Sequence, residues 1–355
     1  MKALVYNLSQ KRLFMKEKEK PVCGDRDVLI AVKAVGICGG DLHYFKGDFD
    51  PPPGVQEEFT IGHEFAGVIE EVGKDADPAW KVGDRVVTDN TAGACGKCPA
   101  CAKGHYVLCK YRKILGLGED GGFTSYVVEP GKILELNPDS MFRIPENMSF
   151  AAATVLEPAA NSYRAVIQEG KVKPGETVVI YGPGPIGLMC TQIAAIAGAA
   201  KIILVGRAHN KELRGQIGMK YGATNWVEND AGYNVKSRIL EIAGDEGVDC
   251  VIDAAGDPSV LLEAIDIVRN EGRIVRAGFS NKPVDAGINA ISLKSVRIFG
   301  HMGYDTECWK NCIRLAEAGK LDLDTIVTHQ LPLDQWEEGF KKSIDGTAGK
   351  VVLIP

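Results

Sequence analysis

The sequence lacks the features that mark membrane, secreted and nucleic-acid-binding proteins. No segment approaches the roughly 20 uninterrupted apolar residues of a membrane-spanning helix, and the N-terminal segment has no apolar core of the signal-peptide type. Lysine and arginine form no runs and the net charge is −6, which argues against a nucleic-acid-binding surface. We therefore expect a cytoplasmic protein that binds neither a membrane nor nucleic acid.

The composition is that of a globular protein of ordinary size. The 355 residues are enough for two domains with separate cores. Hydrophobic residues make up 45% and charged residues 25% of the chain, as in soluble enzymes. The ten cysteines can all be explained as metal ligands or buried thiols, which suits a reducing compartment.

Four cysteines form the most informative cluster. Cys95, Cys98, Cys101 and Cys109 follow the spacing C-x2-C-x2-C-x7-C in a segment with few large apolar residues. Four thiolates this close can close a tetrahedral Zn–S4 cage with no open position, which is typical of a structural site. The alternatives are chance clustering and two disulfides. A ferredoxin-type cluster would have a short last spacing followed by proline, whereas Lys110 follows here. The spacing predicts a structural zinc lobe at about residues 90–112.

The predicted pattern of secondary structure changes near residue 155. Before it, short β-like runs alternate with turn residues, which predicts a mostly β domain. From Gly175 onward, strands alternate with helices, which predicts a parallel sheet with crossover helices. After Gly300 come one helix, about 307–318, and a β-rich tail that we expect to return to the first domain. The strands of the two regions are predicted at 27–35, 65–72, 84–88, 123–128, 177–181, 201–205, 248–253, 273–277 and 296–299, and a helix at 186–197.

A glycine-rich turn lies in the alternating region. Gly182, Gly184 and Gly187 form G-x-G-x-x-G between a predicted strand and a predicted helix. The first glycine permits the tight turn, the second lets the backbone approach a pyrophosphate, and the third allows close helix–strand packing. The phosphates would then face the helix N-terminus. A purely structural turn is the alternative, but the strand–turn–helix–strand context favours a dinucleotide site.

The end of the next strand predicts the type of dinucleotide. NAD-preferring sites usually place Asp or Glu there to bind the ribose 2′-OH. Here Gly206 holds that place and Arg207 follows. No carboxylate repels a 2′-phosphate, and Arg207 can pair with one, so the sequence favours NADP over NAD. Alternatively, Arg207 is a solvated loop residue and both cofactors are accepted.

A third cluster lies near the N-terminus, in the segments GICGGDLHYFKG and TIGHEFAGVIEEVG. Cys38, His63 and Glu64 offer the mixed S, N and O donors that a catalytic zinc uses, with room left for water or substrate. Asp41 could accept a ring N–H from His63 and fix its tautomer. Because these residues accompany a dinucleotide fold, a catalytic metal site is favoured over ordinary packing.

From end to end, the chain resembles the zinc-dependent medium-chain dehydrogenase/reductase superfamily. The resemblance rests on GHEFAGVIEEVG, the four-cysteine segment, VLEPAA, GPGPIG and the closing GKVVL. It implies an α/β protein with a mostly β GroES-like catalytic domain at 1–155 and 300–355 around a Rossmann domain, a doubly wound parallel sheet, at 156–299. In that family, the catalytic zinc lies in the cleft between the domains.

The resemblance also implies roles for individual residues. Cys38, His63 and Glu64 match the catalytic zinc ligands, and Glu157 matches the glutamate of the sorbitol dehydrogenase branch, where liver-type alcohol dehydrogenases have cysteine. Polyol and threonine dehydrogenases are therefore the nearest types, and which glutamate ligates zinc at rest stays open. The residues expected to bind the cofactor are Gly182, Gly184, Pro185, Ile186, Gly187, Gly206, Arg207, Lys211, Ala255, Gly278 and Phe279.

One position departs from the family pattern. The family usually has Ser or Thr two residues after the zinc cysteine, where the hydroxyl relays the substrate proton, and here Gly40 has no side chain. His43 matches the far end of that relay. A water could bridge the gap, or Glu64 or Glu157 could take the proton.

The expected substrate residues rest on weaker matches. Tyr44 matches a pocket position of the sorbitol dehydrogenase branch, and Phe123 is expected in the same cleft, although either could be ordinary packing. Gly303 stands where sorbitol dehydrogenase has an arginine, which suggests a different, shorter polyol. Cys308 and Cys312, four residues apart on a predicted helix, lack two further ligands and are expected to be core thiols.

The sequence therefore predicts a zinc-dependent NAD(P)-linked dehydrogenase with two zinc ions per chain. Its expected substrate is a secondary hydroxyl of a polyol, sugar alcohol or cyclitol. The alternatives are an NADPH-dependent ketone reductase, a threonine 3-dehydrogenase-like enzyme and, less favoured, a non-catalytic NADPH-binding protein. The resemblance implies a homo-oligomer, either a tetramer or a dimer.

Overall fold

A computed structural model describes residues 1–48, 55–285 and 289–355. The chain divides into two compact units. The first unit comprises Met1–Glu157, Asp305–Glu317 and Leu323–Pro355, and the second comprises Pro158–Tyr304 and Ala318–Asp322. The sequence-based division placed these boundaries after residues 155 and 299.

The described residues form strands and helices along the whole chain. The strands are β1 (Lys2–Asn7), β2 (Arg12–Glu17), β3 (Val28–Gly36), β4 (Glu58–Thr60), β5 (Glu64–Val72), β6 (Arg85–Thr88), β7 (Thr91–Gly93), β8 (Lys113–Leu115), β9 (Gly118–Glu119), β10 (Tyr126–Glu129), β11 (Met141–Arg143), β12 (Thr177–Tyr181), β13 (Lys201–Gly206), β14 (Asn225–Glu228), β15 (Val248–Asp253), β16 (Val268–Arg276), β17 (Arg297–Gly300), β18 (Val327–Pro332) and β19 (Lys350–Ile354). The α-helices are α1 (Gly39–Lys46), α2 (Gly131–Leu136), α3 (Phe150–Ala153), α4 (Leu156–Tyr163), α5 (Pro185–Ile196), α6 (Gln216–Lys220), α7 (Val235–Ala243), α8 (Pro258–Ile267), α9 (Asn289–Leu293), α10 (Thr306–Glu317) and α11 (Trp336–Ile344).

The first unit is built around a seven-stranded sheet of order β11-β6-β5-β3-β19-β18, with β10 also paired to β3. Strand β3 is the centre of this sheet because its residues are apolar on both faces and all but Lys33 are buried. The β-rich tail joins the sheet through β19, which pairs antiparallel with β3. The tail therefore lies in the same sheet as the strands of the N-terminal segment.

The second unit is a parallel sheet of order β14-β13-β12-β15-β16-β17. This order reverses direction next to β12, which is the doubly wound arrangement that binds a dinucleotide at the carboxyl ends of its central strands. Its core consists of β-branched side chains of the strands and the inner faces of α7 and α8, among them Val179, Ile203 and Val251. No helix within the described ranges is long and apolar enough to cross a membrane.

Candidate functional site

Three potential metal ligands of the first unit converge at the ends of neighbouring elements. One ligand atom each of Cys38, His63 and Glu64 lies within 4.8 Å of the others. Cys38 is the N-cap of α1, and Glu64 is the first residue of β5 and pairs with Gly36, the last residue of β3. The central strand pair thus brings the three side chains together. Their soft and hard donors fit a zinc ion that keeps a position open for substrate.

A buried lysine completes the charge balance of this group. The Nζ of Lys350 donates a hydrogen bond to Glu64 Oε2, and the two side chains are 1% and 2% exposed. Gly36 leaves the space for this pair, because a Cβ there would lie 2.6 Å from Glu64 Oε2. Burial opposes the charge of Lys350, but Glu64 and Cys38 raise its pKa above 10.5. Lys350 is therefore a charged partner of Glu64.

Asp41 lies beside His63 but is bonded to the backbone. Its Oδ2 accepts from Cys38 N at 2.9 Å, which closes the cap of α1. Its Oδ1 lies 3.7 Å from His63 Nδ1, which is longer than a hydrogen bond. The expected ring N–H bond to Asp41 is therefore not formed in this structure. Burial raises the pKa of Asp41 to about 6, although His63 and the Cys38 amide act against this shift.

Glu157 lies near the three-ligand group, in the first turn of α4. It is 8% exposed and interacts electrostatically with His63, Glu64 and Lys350. Burial raises the pKa of its carboxyl, and Glu64 adds to this shift while His63 reduces it. Glu157, the fourth side chain expected to bind the catalytic metal, therefore lies beside the group of Cys38, His63 and Glu64 and not within it.

Gly40 leaves space beside two of the candidate metal ligands. A Cβ at Gly40 would lie 3.9 Å from both Cys38 Sγ and His63 Cε1, which is ordinary van der Waals contact. A side chain at this position would therefore point at the metal ligands without a clash. His43, one turn along α1, is half-exposed, and its Nδ1 lies 2.8 Å from Asp48 Oδ1.

The four lobe cysteines also converge. Their sulfur atoms lie within 4.8 Å of one another, and Cys95 Sγ and Cys101 Sγ are 4.0 Å apart. A tetrahedral cage with Zn–S bonds of about 2.3 Å separates its sulfur atoms by roughly 3.8 Å. All ten cysteines are free thiols. The geometry fits one zinc ion with four sulfur ligands.

Backbone N–H groups support the lobe sulfurs. Cys95 N lies 3.3 Å from Cys109 Sγ, and Cys98 N lies 3.3 Å from Cys95 Sγ. Such bonds favour the thiolate, which is the form that binds metal. The amide of Lys97 has the largest effect on Cys95 and helps to lower the pKa of its thiol to about 6.

The glycine-rich turn joins β12 to α5 in the second unit. Gly182 has φ +93°, a conformation that favours glycine. A Cβ at Gly187 would lie 1.8 Å from Gly182 O, so no other residue fits there. Gly184 is the N-cap of α5 and has open space beside it, with Pro185 and Ile186 following in the first turn. The turn therefore has the form that a pyrophosphate requires.

The loops after β15 and β16 lie next to this turn. Asp253 Oδ1 accepts from Ala255 N at 3.0 Å and from Gly256 N at 2.8 Å. A Cβ at Gly278 would lie 2.2 Å from Gly256 N, so the two loops are packed backbone to backbone. Phe279 is 78% exposed. These residues therefore stand at the carboxyl edge of the sheet, where the sequence placed the cofactor.

Gly206 ends β13 in a position that excludes a side chain. A Cβ there would lie 2.4 Å from Trp226 and 2.8 Å from Pro183. Arg207 is exposed, whereas Lys211 Nζ lies 3.0 Å from Glu228 Oε1. The position therefore cannot hold the carboxylate that NAD-preferring sites use.

The two predicted substrate residues are buried in the core of the first unit. Tyr44 is 1% and Phe123 0% exposed. The ring of Tyr44 lies 4.7 Å from that of Tyr6, and the ring of Phe123 lies 6.1 Å from that of Phe340. Both side chains are enclosed by other residues of the first unit. Their placement favours packing, as it does for Cys308 and Cys312, which are both 0% exposed.

Sequence reasoning missed three residues around the metal ligands. Lys350 is the only charged residue of β19, KVVLI, and a charge beginning an apolar strand was a usable signal. Asn90 donates a hydrogen bond to Glu157 and Arg112 donates one to Asn90, and no sequence pattern marks either residue.

Comparisons with known proteins agree with this geometry. The family model of the alcohol dehydrogenase GroES-like domain matches residues 24–139, and that of the zinc-binding dehydrogenases matches residues 185–318. An uncharacterized zinc-type alcohol dehydrogenase-like protein of Escherichia coli K12 is 39% identical over 94% of this chain and 93% of its own. An L-threonine 3-dehydrogenase of Bacillus velezensis is 33% identical over 100% and 99% of the two chains. A sorbitol dehydrogenase of Halalkalibacterium halodurans is 30% identical over 100% and 99%.

Solved structures of dehydrogenases also superpose on this chain over its full length. The 2R,3R-butanediol dehydrogenase of Bacillus subtilis superposes with a TM-score of 0.87 at 30% identity. A Sinorhizobium meliloti zinc-binding dehydrogenase bound to NADP gives 0.86 at 29%. An Escherichia coli alcohol dehydrogenase in complex with NADH gives 0.87 at 28%. Each alignment covers 100% of this chain and 99% of the other.

These matches confirm the predicted fold class, a GroES-like domain combined with a Rossmann-type domain. They also confirm the predicted class of enzyme, a zinc-dependent alcohol or polyol oxidoreductase. The chain belongs to the zinc-dependent medium-chain dehydrogenase/reductase superfamily.

Proposed function

We propose that this enzyme oxidises a secondary hydroxyl of a polyol, sugar alcohol or cyclitol to a ketone and transfers the hydride to a nicotinamide cofactor. The observation that carries this proposal is the convergence of Cys38, His63 and Glu64 within 4.8 Å, in a chain that also has a separate four-sulfur group. The names of its relatives, a sorbitol dehydrogenase and a butanediol dehydrogenase among them, support a substrate with more than one polar group.

The side chains of the metal centre have different proposed roles. Cys38, His63 and one carboxylate, of Glu64 or Glu157, hold the metal. Zinc bound there supplies a Lewis acid that lowers the pKa of a substrate hydroxyl. Lys350 holds Glu64 in place. His43, whose Nδ1 is bonded to Asp48, passes the released proton from its other ring nitrogen to solvent, with water filling the space beside Gly40.

NADP is the proposed cofactor, although NAD is the alternative. Gly206 cannot accommodate a ribose-binding carboxylate, and Arg207 is exposed next to it. Arg207 is therefore free to pair with a 2′-phosphate. Solved relatives include complexes with NADP and with NADH.

Three alternatives are weighed against this function. A preference for NADP would favour reduction of a ketone in the cell, which is the same chemistry in the other direction. The full-length match to an L-threonine 3-dehydrogenase at 33% identity favours an amino alcohol as the second candidate substrate. A non-catalytic NADPH-binding protein is disfavoured, because such a protein has no need for the intact ligands Cys38, His63 and Glu64.

The proposal also covers the zinc content, the oligomeric state and the location of the enzyme in the cell. We propose two zinc ions per chain, one at each ligand group, and a homo-oligomer, either a tetramer or a dimer, which size-exclusion chromatography with light scattering would test. We also place the enzyme in the cytoplasm, since ten free cysteines suit a reducing compartment.

The test is a panel of initial rates. Reduction of NADP+ and NAD+ is measured with C4–C6 polyols, cyclitols and L-threonine, in wild type and in Arg207→Ala. Turnover on a vicinal diol that a zinc chelator abolishes, and that is faster with NADP+ in wild type only, is the expected result. Faster turnover with NAD+ contradicts the cofactor proposal, and turnover on L-threonine alone contradicts the polyol substrate.

A further inference from the structure

A buried asparagine lies directly beside Glu157. Asn90 is 3% exposed, and its Nδ2 lies 3.4 Å from Glu157 Oε1 and 3.4 Å from the backbone oxygen of His63. Both of these acceptors belong to residues of the candidate metal centre. One amide group thus faces two of the residues that shape that centre.

Arg112 fixes the orientation of this amide. Its Nη2 donates to Asn90 Oδ1 at 2.7 Å, and its Nε donates to Thr91 Oγ1 at 3.2 Å. Because a guanidinium only donates, the oxygen of Asn90 must face Arg112, and its NH2 therefore faces Glu157. The charge of Arg112 also polarises the amide, which strengthens the bond that the amide donates.

The backbone of both residues is held in place. Asn90 has φ +54°, a left-handed conformation in which asparagine is enriched among non-glycine residues. Leu115 N donates to Asn90 O at 2.9 Å, and Arg112 N donates to Cys109 O at 3.0 Å. Arg112 is therefore anchored three residues after the last cysteine of the lobe. An uncommon backbone conformation kept next to a reactive centre points to a function of the side chain.

We propose that Asn90 and Arg112 are positioning residues that hold the carboxylate of Glu157 at the Cys38–His63–Glu64 metal centre. This inference rests on the proposed function, because it assigns Glu157 to that centre. Substitution of a residue that orients a metal-site carboxylate typically lowers metal affinity or activity by about 10- to 100-fold. Arg112 acts through Asn90, and Asn90 acts through Glu157.

The test uses the cobalt-substituted enzyme. The d–d absorption of cobalt(II) at the mixed-ligand centre reports its coordination, and its decay in excess chelator reports metal release. Asn90→Gly keeps the left-handed backbone but removes the amide, so we expect a shifted d–d band and release about 10- to 100-fold faster. Asn90→Asp keeps the bond to Arg112 but places a second carboxylate opposite Glu157, so it should shift the band as well.

The Arg112 variants test the second residue of the pair. Arg112→Met should shift the band and speed metal release in the same direction, and Arg112→Lys should do so more weakly. Lys110→Met, a matched charge removal at an exposed neighbour, serves as the control and should leave band and release unchanged.

Each result decides the proposal. A shifted band and faster release in Asn90→Gly and Arg112→Met, with wild-type values in Lys110→Met, support it. A wild-type spectrum and release within twofold of wild type in Asn90→Gly overturn it, as does an equal effect in Lys110→Met. The thermal midpoint of each variant separates a local effect from failure to fold, and Arg112→Lys gives the answer if Arg112→Met does not fold. If the wild type turns over no alcohol or ketone, the proposed function fails, but the spectra still decide whether Asn90 and Arg112 position Glu157.

Discussion

The two ligand groups of the first unit differ in their donor atoms, in the sequence separation of their ligands and in the charged side chains around them. The lobe offers four sulfurs within 15 residues of chain, supported by backbone N–H groups. The other group offers one sulfur, one imidazole and carboxylates from distant segments, surrounded by the charged side chains Asp41 and Lys350. A closed all-sulfur set stabilises a fold, whereas an open mixed set can exchange a ligand.

The comparison teaches how each group is assembled. The four sulfurs of the lobe come from one short segment of the chain, so their geometry is local. The open group depends on the register of β3 with β5 and β19, and it contains the buried ion pair of Lys350 and Glu64. Substitutions should therefore separate the two groups cleanly.

The largest expected effect follows from removing a ligand of the open group. Cys38→Ser should lower turnover by roughly a thousandfold, since the metal supplies several kcal/mol and about 1.4 kcal/mol corresponds to a factor of ten. Zinc content should fall from two ions to one per chain, measured by atomic emission. Cys23→Ser, at a thiol bonded only to backbone oxygens, is the control. If zinc content stays at two ions, the assignment of Cys38 as a ligand is wrong.

The second-largest effect is expected from removing one partner of the buried ion pair between Lys350 and Glu64. Lys350→Met leaves Glu64 buried without its cation, which should cost about 3–5 kcal/mol of unfolding free energy. The shift in the urea midpoint measures this loss. The double variant Lys350→Met/Glu64→Gln should regain much of the stability, because no unpaired charge remains. A midpoint equal to that of wild type in the single variant would show that the pair does not stabilise the fold.

The buried carboxyl group of Glu129 contrasts with that of Glu64, because no described cation pairs with it. Glu129 is 0% exposed and forms no ion pair with another described residue. Burial, with a smaller effect of Asp89, raises the pKa of its carboxyl well above 4.5. The folded state then binds one more proton than the unfolded state, so stability is full below pH 4.5 and falls as the pH rises toward the folded pKa, by up to about 1.4 kcal/mol per pH unit.

Glu129→Gln should remove this dependence. The variant should match the wild type near pH 4 and have the higher urea midpoint at pH 8. Glu135→Gln, at an exposed carboxylate paired with Arg26, is the control and should change the midpoint little at either pH. A variant that loses stability equally at both pH values would contradict the raised pKa.

The smallest expected effect concerns the open side of the metal group. Gly40→Ser adds a hydroxyl where a Cβ meets Cys38 Sγ and His63 Cε1 at 3.9 Å. We expect kcat at neutral pH to rise about tenfold, which is less than the roughly 100-fold or more typical of general acid–base catalysis, because water already bridges the gap. Gly40→Ala adds the same Cβ without the hydroxyl. Equal rates for the two variants would exclude a proton path through this position.

Local patterns explain how much of this could be predicted from the sequence. The lobe spacing and the turn at Gly182, Gly184 and Gly187 each lie within one short segment, so their residue types alone define the geometry. Cys38, His63 and Glu64 were proposed from their donor types and lie close together, whereas Glu157 was added through the family resemblance and lies beside them. The strands around both groups were located because alternation of apolar and turn residues is also local.

Long-range packing explains what was missed. Lys350 meets Glu64 across a sequence separation of 286 residues, and only the pairing of β19 with β3 creates that contact. Asn90 contacts Glu157 across a sequence separation of 67 residues, which no spacing rule reveals. Tyr44 was matched to a substrate pocket by position, whereas its ring packs against Tyr6 and Phe59 in the core.

The most direct test is to follow zinc content and turnover in the same sample during stepwise removal of metal by a chelator. The account predicts that turnover of a vicinal diol falls in proportion to the first zinc ion lost per chain, while the second ion and the far-ultraviolet circular dichroism stay unchanged. Re-addition of zinc should restore the rate. Full turnover after one ion per chain is lost, or loss of secondary structure along with that ion, would contradict the separation of an open catalytic centre from a closed structural lobe.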